Sequence, residues 1–436
     1  MDRKVVSVLV VMVVAAGLAF VACDGGSPAA DAKTPEAKID NAEPKATELP
    51  TIVPPAPAAP GATLLMASAQ FVRTPEGKPK PGPALLTFWT KGEAGWSSTK
   101  LEDPDSNVFH KAKPTGDGGF YTIGAEGAFL KKWTKVDGNW TGATLWNPKW
   151  EGKWNRIRDL EIGDVNGDGK DDLVMATHDF GVIGVGSWAA DGTLAVTELN
   201  KAADTFVHEI EICDVDGDGQ KEFFATPSAR NQSSGKSQPG KVVMFKWDGA
   251  KYQETVLDDF EGSHAKEILC ADVDGGGPSE FFSVVEAETE LKDGKAAVKH
   301  PVEIRQYRWK GAKVEHTVIA TIDDKQTRFL VPGDFDQDGK MDLIAAAMKS
   351  GLWHITQKTD GTWGATNIDA NSSGFEHATW GADLDGDKKL ELYVAADEQK
   401  ELRQYVWNPT TKSFDRTLIG AVQADTITWN ITSGVF

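Results

Sequence analysis

Five short acidic segments in the second half of the chain carry the residues best suited to chemistry. Each begins with aspartate, places a carboxylate or amide at position 3 and usually at position 5, and has a carboxylate at position 9. Oxygen donors on alternate residues of a tight turn can converge on one point, which is how calcium collects its oxygen ligands. The candidate ligands are Asp164, Asn166, Asp168 and Asp172; Asp214, Asp216, Asp218 and Glu222; Asp272, Asp274 and Glu280; Asp334, Asp336, Asp338 and Asp342; Asp383, Asp385, Asp387 and Glu391.

The five loops are not EF-hands, although their first half matches one. An EF-hand needs a bidentate glutamate at position 12 and a helix on each side. Position 12 is instead occupied by Met175, Ala225, Ser283, Ala345 or Val394. Short runs of strand-forming residues precede and follow each loop, which predicts that the loops connect strands.

A strand, the DxDxDGxxD/E loop and a second strand together resemble the FG-GAP or VCBS repeat. The resemblance covers about four fifths of the chain. It implies an all-β propeller in which each metal loop joins the first and second strands of a blade, with calcium in a structural role. The loops at Asp214 and Asp334 are complete and Asn166 still donates an oxygen, whereas Gly276 and Lys388 depart from the pattern in the other two loops. The alternative is that the acidic turns are simply solvated.

A second repeating unit predicts seven blades. A strand that ends in tryptophan, followed by a polar turn and another strand, recurs at Trp89, Trp133, Trp188, Trp247, Trp309 and Trp407, with Thr356 in one copy. The first aspartates of successive loops are 50, 58, 62 and 49 residues apart, which fits four-stranded blades. We therefore predict a propeller over residues 84–436, closed by one blade that shares 84–103 and 426–430. The blade at 105–146 keeps only a loop remnant, Gly116–Gly119.

The first residues predict export. Two basic residues, an apolar run from Val5 to Ala22 and then Cys23 resemble a bacterial lipoprotein signal over residues 1–23, with Cys23 lipidated. An ordinary secretory signal and an uncleaved anchor are the alternatives. Residues 24–83 are rich in Ala, Pro, Lys, Glu and Thr and are predicted to be a disordered tether. We expect the protein at the bacterial cell envelope, anchored to the outer membrane or cell surface.

The acidity of the chain limits its partners. The formal net charge is −19, and much of it lies in the five loops. Nucleic acid requires concentrated basic surface, so it is excluded as a partner. A protein or a glycan at the cell envelope remains, together with the membrane through the lipid.

Two further residue types require interpretation. Cys213 and Cys270 precede consecutive metal loops but are one residue out of register, so we expect two free buried thiols; the exported compartment also permits a disulfide. The repeated tryptophans are best explained as packing between blades. Trp140, Trp146, Trp150 and Trp154 fall outside that register and are candidates for a surface on which sugars stack.

A basic register accompanies the loops. Six residues before the first aspartate of each loop stand Arg158, His208, Lys266, Arg328 and His377. They should surround one mouth of the central channel, opposite the metal loops. They are either a candidate anion-binding site or partners of neighbouring acids such as Asp159, Glu209 and Glu267.

No enzyme signature accompanies these features. The sequence has no HExxH, GxSxG or phosphate-binding loop. We therefore predict an exported, lipid-anchored, calcium-binding propeller that mediates binding or adhesion. The alternative is a carbohydrate-active enzyme such as a polysaccharide lyase, which would need His208 or His377 as its base. A propeller scaffold does not decide between them.

Overall fold

The computed structural model describes residues 62–150, 155–230, 238–293, 295–311 and 313–436. These residues form strands, turns and loops only, as the all-β prediction requires. None of them forms a helix that could span a bilayer. The predicted signal peptide, Cys23, the tether up to residue 61 and Trp154 lie outside the described residues.

Seven antiparallel sheets form the blades of a propeller. Each of blades 2 to 4 contains four strands in sequence order. Blade 2 contains β5 (Phe109–Pro114), β6 (Phe120–Gly124), β7 (Leu130–Val136) and β8 (Asn139–Trp146). Blade 3 contains β9 (Arg156–Gly163), β10 (Asp172–His178), β11 (Ile183–Trp188) and β12 (Leu194–Leu199). Blade 4 contains β13 (Thr205–Cys213), β14 (Glu222–Ala229), β15 (Gly240–Trp247) and β16 (Tyr252–Phe260).

Blades 5 to 7 repeat this order, with one inserted hairpin. Blade 5 contains β17 (Ala265–Ala271), β18 (Glu280–Val285), β21 (Val302–Lys310) and β22 (Lys313–Ile322), and its insert is the hairpin β19 (Glu288–Lys292) and β20 (Lys295–His300). Blade 6 contains β23 (Thr327–Gly333), β24 (Asp342–Ala347), β25 (Gly351–Gln357) and β26 (Trp363–Asp369). Blade 7 contains β27 (Thr379–Ala382), β28 (Glu391–Ala396), β29 (Glu401–Asn408) and β30 (Ser413–Ala421).

Blade 1 closes the ring by combining both ends of the described chain. It contains β31 (Thr426–Gly434), β1 (Thr63–Arg73), β3 (Ala84–Gly92) and β4 (Gly95–Asp103), and the short β2 (Pro79–Pro81) pairs with the end of β1. β31 pairs with β1 from Thr63↔Gly434 to Gln70↔Thr426. The predicted sharing of one blade by the two ends is confirmed. This shared blade ties the two ends of the ring together, and the outer strand of each blade remains as a short edge.

The start of the folded domain was predicted too late. β1 lies inside the segment predicted as tether, and its residues Thr63 to Gln70 are buried. The sequence on both sides of β1 is rich in proline and lysine, so the short apolar run Leu64–Met66 was not recognised as part of a strand. In the ring, β1 is the second strand of blade 1. Folded structure therefore begins before Ala84, at the start of β1.

Burial between neighbouring blades holds the ring together. The second strand of a blade is covered on both faces, and all residues of β10, β18, β24 and β28 are buried. This explains why the runs after the loops are continuously apolar instead of alternating. Each large apolar side chain buried in this way contributes about 1.5–3 kcal/mol. The outer strands, such as β30, are mostly exposed.

A disulfide joins Cys213 and Cys270, so the prediction of two free thiols is wrong. Their Cα atoms are 6.2 Å apart, and the bond links the first strands of blades 4 and 5. Successive side chains of a strand point to opposite faces of its sheet. Facing blades present opposite faces to each other, so an offset of one residue brings the two sulfurs into the same interface instead of separating them.

The repeated tryptophans pack between blades, as predicted. They lie on the third strands, and Trp89 and Trp133 are 8% and 6% exposed. The predicted stacking surface is wrong for its three described members. Trp140 is stacked on Phe88 in the core, and Trp150 is 7% exposed with Trp146 packed edge-on against it.

Candidate functional site

The five acidic loops lie on one face of the ring. Each connects the first strand of a blade to the second, so the ninth residue of the loop is also the first residue of the buried second strand. In each loop the backbone N–H of the second residue donates to the carboxylate of the ninth. This places the ninth carboxylate beneath the turn, where it can complete a cation site.

The Asp383 loop brings together the most carboxylates. Oxygens of Asp383, Asp385, Asp387 and Glu391 all lie within 4.8 Å of one another. Lys388 occupies the glycine position of the pattern and adopts a φ of 71°. The departure at this position has not opened the loop, because the backbone N–H of Lys388 still donates to Asp383 at 2.8 Å.

The Asp334 loop has a carboxylate oxygen that lacks a partner. Asp334, Asp336 and Asp338 converge, and Asp336 and Asp342 also converge with His354. Oδ1 of Asp334 is buried and has no hydrogen-bond partner. A buried acceptor of this kind is costly unless a cation or a donor binds it. The oxygen-rich donor set fits a hard cation such as calcium.

Burial and crowding perturb the acids of the loops. Burial, with Asp385 and Asp383 close by, raises the pKa of Glu391 to about 7, against an ordinary value near 4.5. Burial raises the pKa of Asp334 too, and the neighbouring Asp342 and Asp338 add to the shift. The crowded carboxylates of these two loops favour a bound cation.

Two loops contain a cation that the chain itself supplies. Nζ of Lys246 lies 2.6 Å from Asp216, 2.7 Å from Asp218 and 2.7 Å from Glu222. In the Asp272 loop, the guanidinium of Arg308 lies 3.3 Å from Asp274 and 3.2 Å from Glu280. We call Lys246 and Arg308 the loop cations.

The Asp164 loop differs from the other four. Nδ2 of Asn166 donates to Asp172 at 3.0 Å, and the hydroxyl of Ser187 donates to the same carboxylate at 2.5 Å. Neutral donors therefore satisfy the ninth carboxylate of this loop. The predicted ligands at Asp164 and Asp168 bind backbone N–H groups of the turn.

The opposite face of the ring holds the predicted basic register. Arg158, Lys266 and Arg328 are 4–6% exposed, at the starts of β9, β17 and β23. Arg158 lies 3.1 Å from Glu376, which also pairs with Arg328. Burial alone would raise the pKa of Glu376, but Arg328 and Arg158 hold it below its usual value. We call Arg158, Lys266, Arg328 and Glu376 the channel-mouth cluster.

The two histidines of this register do not behave as cations or accessible bases. His208 is fully buried between Lys266, at 2.7 Å, and Ser228, at 3.1 Å. His377 is fully buried, and its ring bonds to Ser372 at 2.8 Å and to the carbonyl of Ala347 at 2.6 Å. Burial lowers the pKa of His377 to about 4 and places that of His208 well below 6.5.

A second layer of charge lies deeper in the channel. Lys111 binds Asp159 and Glu161, both at 2.6 Å. Burial, together with Glu161, raises the pKa of Glu211 to about 8, and burial places the pKa of Glu209 well above 4.5. Lys111, Asp159, Glu209 and Glu211 line the same cavity as Arg158 and Arg328.

The mouth leads into a cavity with room for a few water molecules. Its volume is about 50 Å³, and its walls include Arg158, Arg328, Trp429 and Asn430. Nε of Arg158 and Oδ1 of Asn430 are buried there without a hydrogen-bond partner. Water in the cavity can satisfy both atoms and connect them to a ligand at the mouth.

Two aromatic rings border the mouth. Phe375 is 39% exposed, and its ring centroid is 6.1 Å from that of Trp429. The guanidinium carbons of Arg328 and Arg158 lie 4.4 Å and 4.8 Å from the centroids of Phe375 and Trp429. Sequence reasoning missed Phe375, Glu376 and Trp429, although the first two directly precede His377.

Comparison with known proteins identifies the repeat and the fold. The family model of the FG-GAP-like repeat matches residues 164–225 and 334–394. No curated protein matches the chain. A putative 6-phosphogluconolactonase from Bacteroides fragilis is 12% identical, with a TM-score of 0.51 over 87% of this chain and 99% of that chain. The periplasmic gluconolactonase PpgL of Pseudomonas aeruginosa (12%, TM-score 0.51) and a protein from Lactobacillus plantarum (12%, TM-score 0.56) each cover 86% of this chain and 99% of their own. At this identity the likeness concerns the fold alone.

Proposed function

Because this chain is an FG-GAP repeat β-propeller protein, we propose that it is a calcium-stabilised binding protein of the bacterial cell envelope, anchored by lipid on Cys23. Its ligand docks at the channel mouth, and adhesion is the role that this arrangement serves. The observation that carries the proposal is the cavity at the channel mouth. There the exposed ring of Phe375 lies beside buried atoms of Arg158 and Asn430 that lack hydrogen-bond partners.

Calcium is proposed for the loops that hold unbalanced carboxylates. The Asp334 and Asp383 loops present three and four convergent acids with no lysine or arginine among them. Single basic side chains do approach the rim of the Asp383 loop, where Lys389 is 3.3 Å from Asp387 and Lys91 is 3.6 Å from Asp385. Each contacts only one exposed carboxylate and leaves the centre of the loop free. Calcium there would join the first two strands of a blade.

A glycan is the ligand class that best suits the mouth. Sugar rings present apolar faces that stack on aromatic side chains, and Phe375 offers such a face beside Trp429. Water in the small cavity can link the hydroxyl groups of a sugar to Nε of Arg158 and Oδ1 of Asn430, both of which are buried without a hydrogen-bond partner. The arginines of the channel-mouth cluster are already paired with Glu376. The cluster is therefore better suited to orienting polar groups of a ligand than to attracting a highly charged anion.

Glycan binding can be tested by calorimetry against a panel of neutral, uronate-containing and sulfated oligosaccharides. We expect at least one class to bind, and Phe375→Ala to weaken it about tenfold or more, which corresponds to about 1.4 kcal/mol. Leu418→Ala is the matched control, since Leu418 is 60% exposed on the outer strand β30. Equal binding by wild type and Phe375→Ala would contradict the site. New ultraviolet absorbance from an unsaturated sugar product would instead indicate a lyase.

The lipid anchor has its own test. Intact mass of the membrane-extracted protein should lack residues 1–22 and exceed the remaining polypeptide by a diacylglyceryl group. Cys23→Ser should leave the precursor unprocessed. A variant of normal mature size without lipid would show ordinary secretory cleavage.

A further inference from the structure

In each of blades 3 to 7, one residue of the third strand lies directly across from the ninth residue of the acidic loop. Phe223 pairs with Phe245, so Lys246 follows directly across from Glu222. By the same register Arg308 is across from Glu280 and Val406 is across from Glu391. Ser187 and Thr356 occupy this position in blades 3 and 6. The position carries a cation in blades 4 and 5 and a neutral residue in blades 3, 6 and 7.

We infer that Lys246 is a built-in cation that takes the place of calcium in the Asp214 loop, and that Arg308 does so less completely in the Asp272 loop. Calcium binding is then confined to loops whose facing position is neutral. This inference rests on the proposed calcium binding of the Asp334 and Asp383 loops and goes beyond it. It removes from the set of calcium sites one of the two loops whose sequences match the calcium pattern fully.

The contacts of Lys246 match what an occupying cation requires. An ammonium group has three N–H donors. Lys246 donates to Asp216 and Asp218, and its charge lies 2.7 Å from Oε1 of Glu222, a buried oxygen that has this ion pair but no hydrogen bond. The remaining carboxylate of the loop, Asp214, binds the backbone N–H groups of Gly217 at 2.6 Å and Gly219 at 2.9 Å. All four predicted calcium ligands of this loop therefore have partners within the chain.

Calcium cannot enter this loop without displacing the ammonium. The carboxylates that would bind the ion are the ones that hold Lys246, and a second positive charge among them would be repelled. The side chain is tethered to β15, so it is present at every calcium concentration. Arg308 is 50% exposed and contacts two carboxylates at longer distances, so it should compete with calcium more weakly.

The inference is tested by exchanging the residues at this facing position between blade 4 and blade 7. The calcium bound to the full-length purified protein is counted by metal analysis after equilibrium dialysis at saturating calcium. Lys246→Val should gain one ion per chain, and Val406→Lys, which places the ammonium across from Glu391, should lose one. Lys246→Gln is the second variant, in case the valine change impairs folding, and should also gain one ion.

Three aspartate variants separate failure of this inference from failure of the proposed function. In the wild-type background Asp214→Asn should leave the count unchanged, whereas Asp334→Asn should lower it by one. Loss of one ion in Asp214→Asn would overturn the inference while calcium binding by the other loops stands. An unchanged count in Asp334→Asn and Asp383→Asn would overturn the calcium proposal itself.

Discussion

Blades 4 and 5 differ from blades 6 and 7 in where their cross-links come from. In blades 4 and 5 the chain supplies them: Cys213 and Cys270 form a disulfide beside two loops that contain Lys246 and Arg308. Blades 6 and 7 have no loop cation, and acids converge in the loops of both. The same loop pattern therefore has two outcomes. In blades 4 and 5 the chain neutralises the loop carboxylates itself, whereas in blades 6 and 7 they need a metal ion. Stability of the ring should depend on calcium unevenly around its circumference.

On the opposite face of the ring, the buried cations are paired with acids that the chain itself supplies. Arg158 of blade 3 and Arg328 of blade 6 meet on Glu376, which precedes blade 7. A buried pair of this kind stabilises little relative to apolar packing, but removal of one partner is strongly destabilising. The channel mouth should therefore be insensitive to calcium and sensitive to the loss of a single carboxylate.

Loss of that carboxylate should have the largest effect. Glu376→Gln leaves two buried guanidinium groups without their shared anion, and we expect a loss of about 3–5 kcal/mol in the free energy of unfolding. Glu209→Gln is the comparison variant, because Glu209 lies 3.9 Å from Arg158, farther than Glu376, so its loss should cost less. Urea denaturation of both variants measures the difference. Similar losses would show that the charge of Glu376 is not what matters.

Removal of the disulfide should be nearly as damaging. The bond closes a loop with a sequence separation of 57 residues, and a loop of that length stabilises by about 4 kcal/mol through the entropy of the unfolded chain. Replacement of both cysteines with serine should lower the urea midpoint by the same amount with and without calcium. A calcium-dependent loss would mean that blades 4 and 5 also rely on metal.

Removal of metal ligands should have a moderate effect that differs between blades. A site with a Kd of about 0.1 mM contributes about 1.8 kcal/mol at about 2 mM calcium. Asp334→Asn and Asp383→Asn should each lose about this amount in calcium and much less in chelator. Asp214→Asn should change stability equally in both conditions. Thermal melts of the three variants in calcium and in chelator measure these losses. The comparison would be contradicted if the loss in Asp214→Asn differed most between the two conditions.

At neutral pH the buried histidines should have the smallest effect, because they reduce stability only in acid. The folded-state pKa of His377 is about 4, below the unfolded value near 6.5, so the unfolded chain takes up the proton first. Its contribution to stability is full above pH 6.5 and is lost as the pH falls towards 4, by about 1.4 kcal/mol per unit. His377→Asn should reduce that slope, and asparagine tolerates the φ of 57° at this position. Parallel curves of stability against pH for wild type and variant would contradict a neutral buried ring.

The sequence predicts the repeating parts of this molecule better than the single contacts between repeats. The alternating acids identify the loops, and the spaced tryptophans count the blades, because the acids recur in five blades and the tryptophan in six. The closing strand β1 was missed since it appears once, within proline-rich sequence. The disulfide was rejected because the geometry of facing sheets was overlooked, although the compartment permitted it.

The metal loops were ranked by their ligands alone, which is why the Asp214 loop was placed among the best. Lys246, one residue before the repeated Trp247, could have been found by reading the third strand in register with the loop. Glu376 could not, because its partners lie 218 and 48 residues away along the chain. Only the closed ring brings those charges together.

Hydrogen exchange measured by mass spectrometry, with calcium and with chelator, tests the uneven dependence on calcium most directly. Chelation should increase exchange in the Asp334 and Asp383 loops and at the starts of β24 and β28. Exchange in the Asp214 loop, at the start of β14 and at the channel mouth should remain unchanged. A uniform increase across all the loops, or the largest increase in the Asp214 loop, would contradict the account.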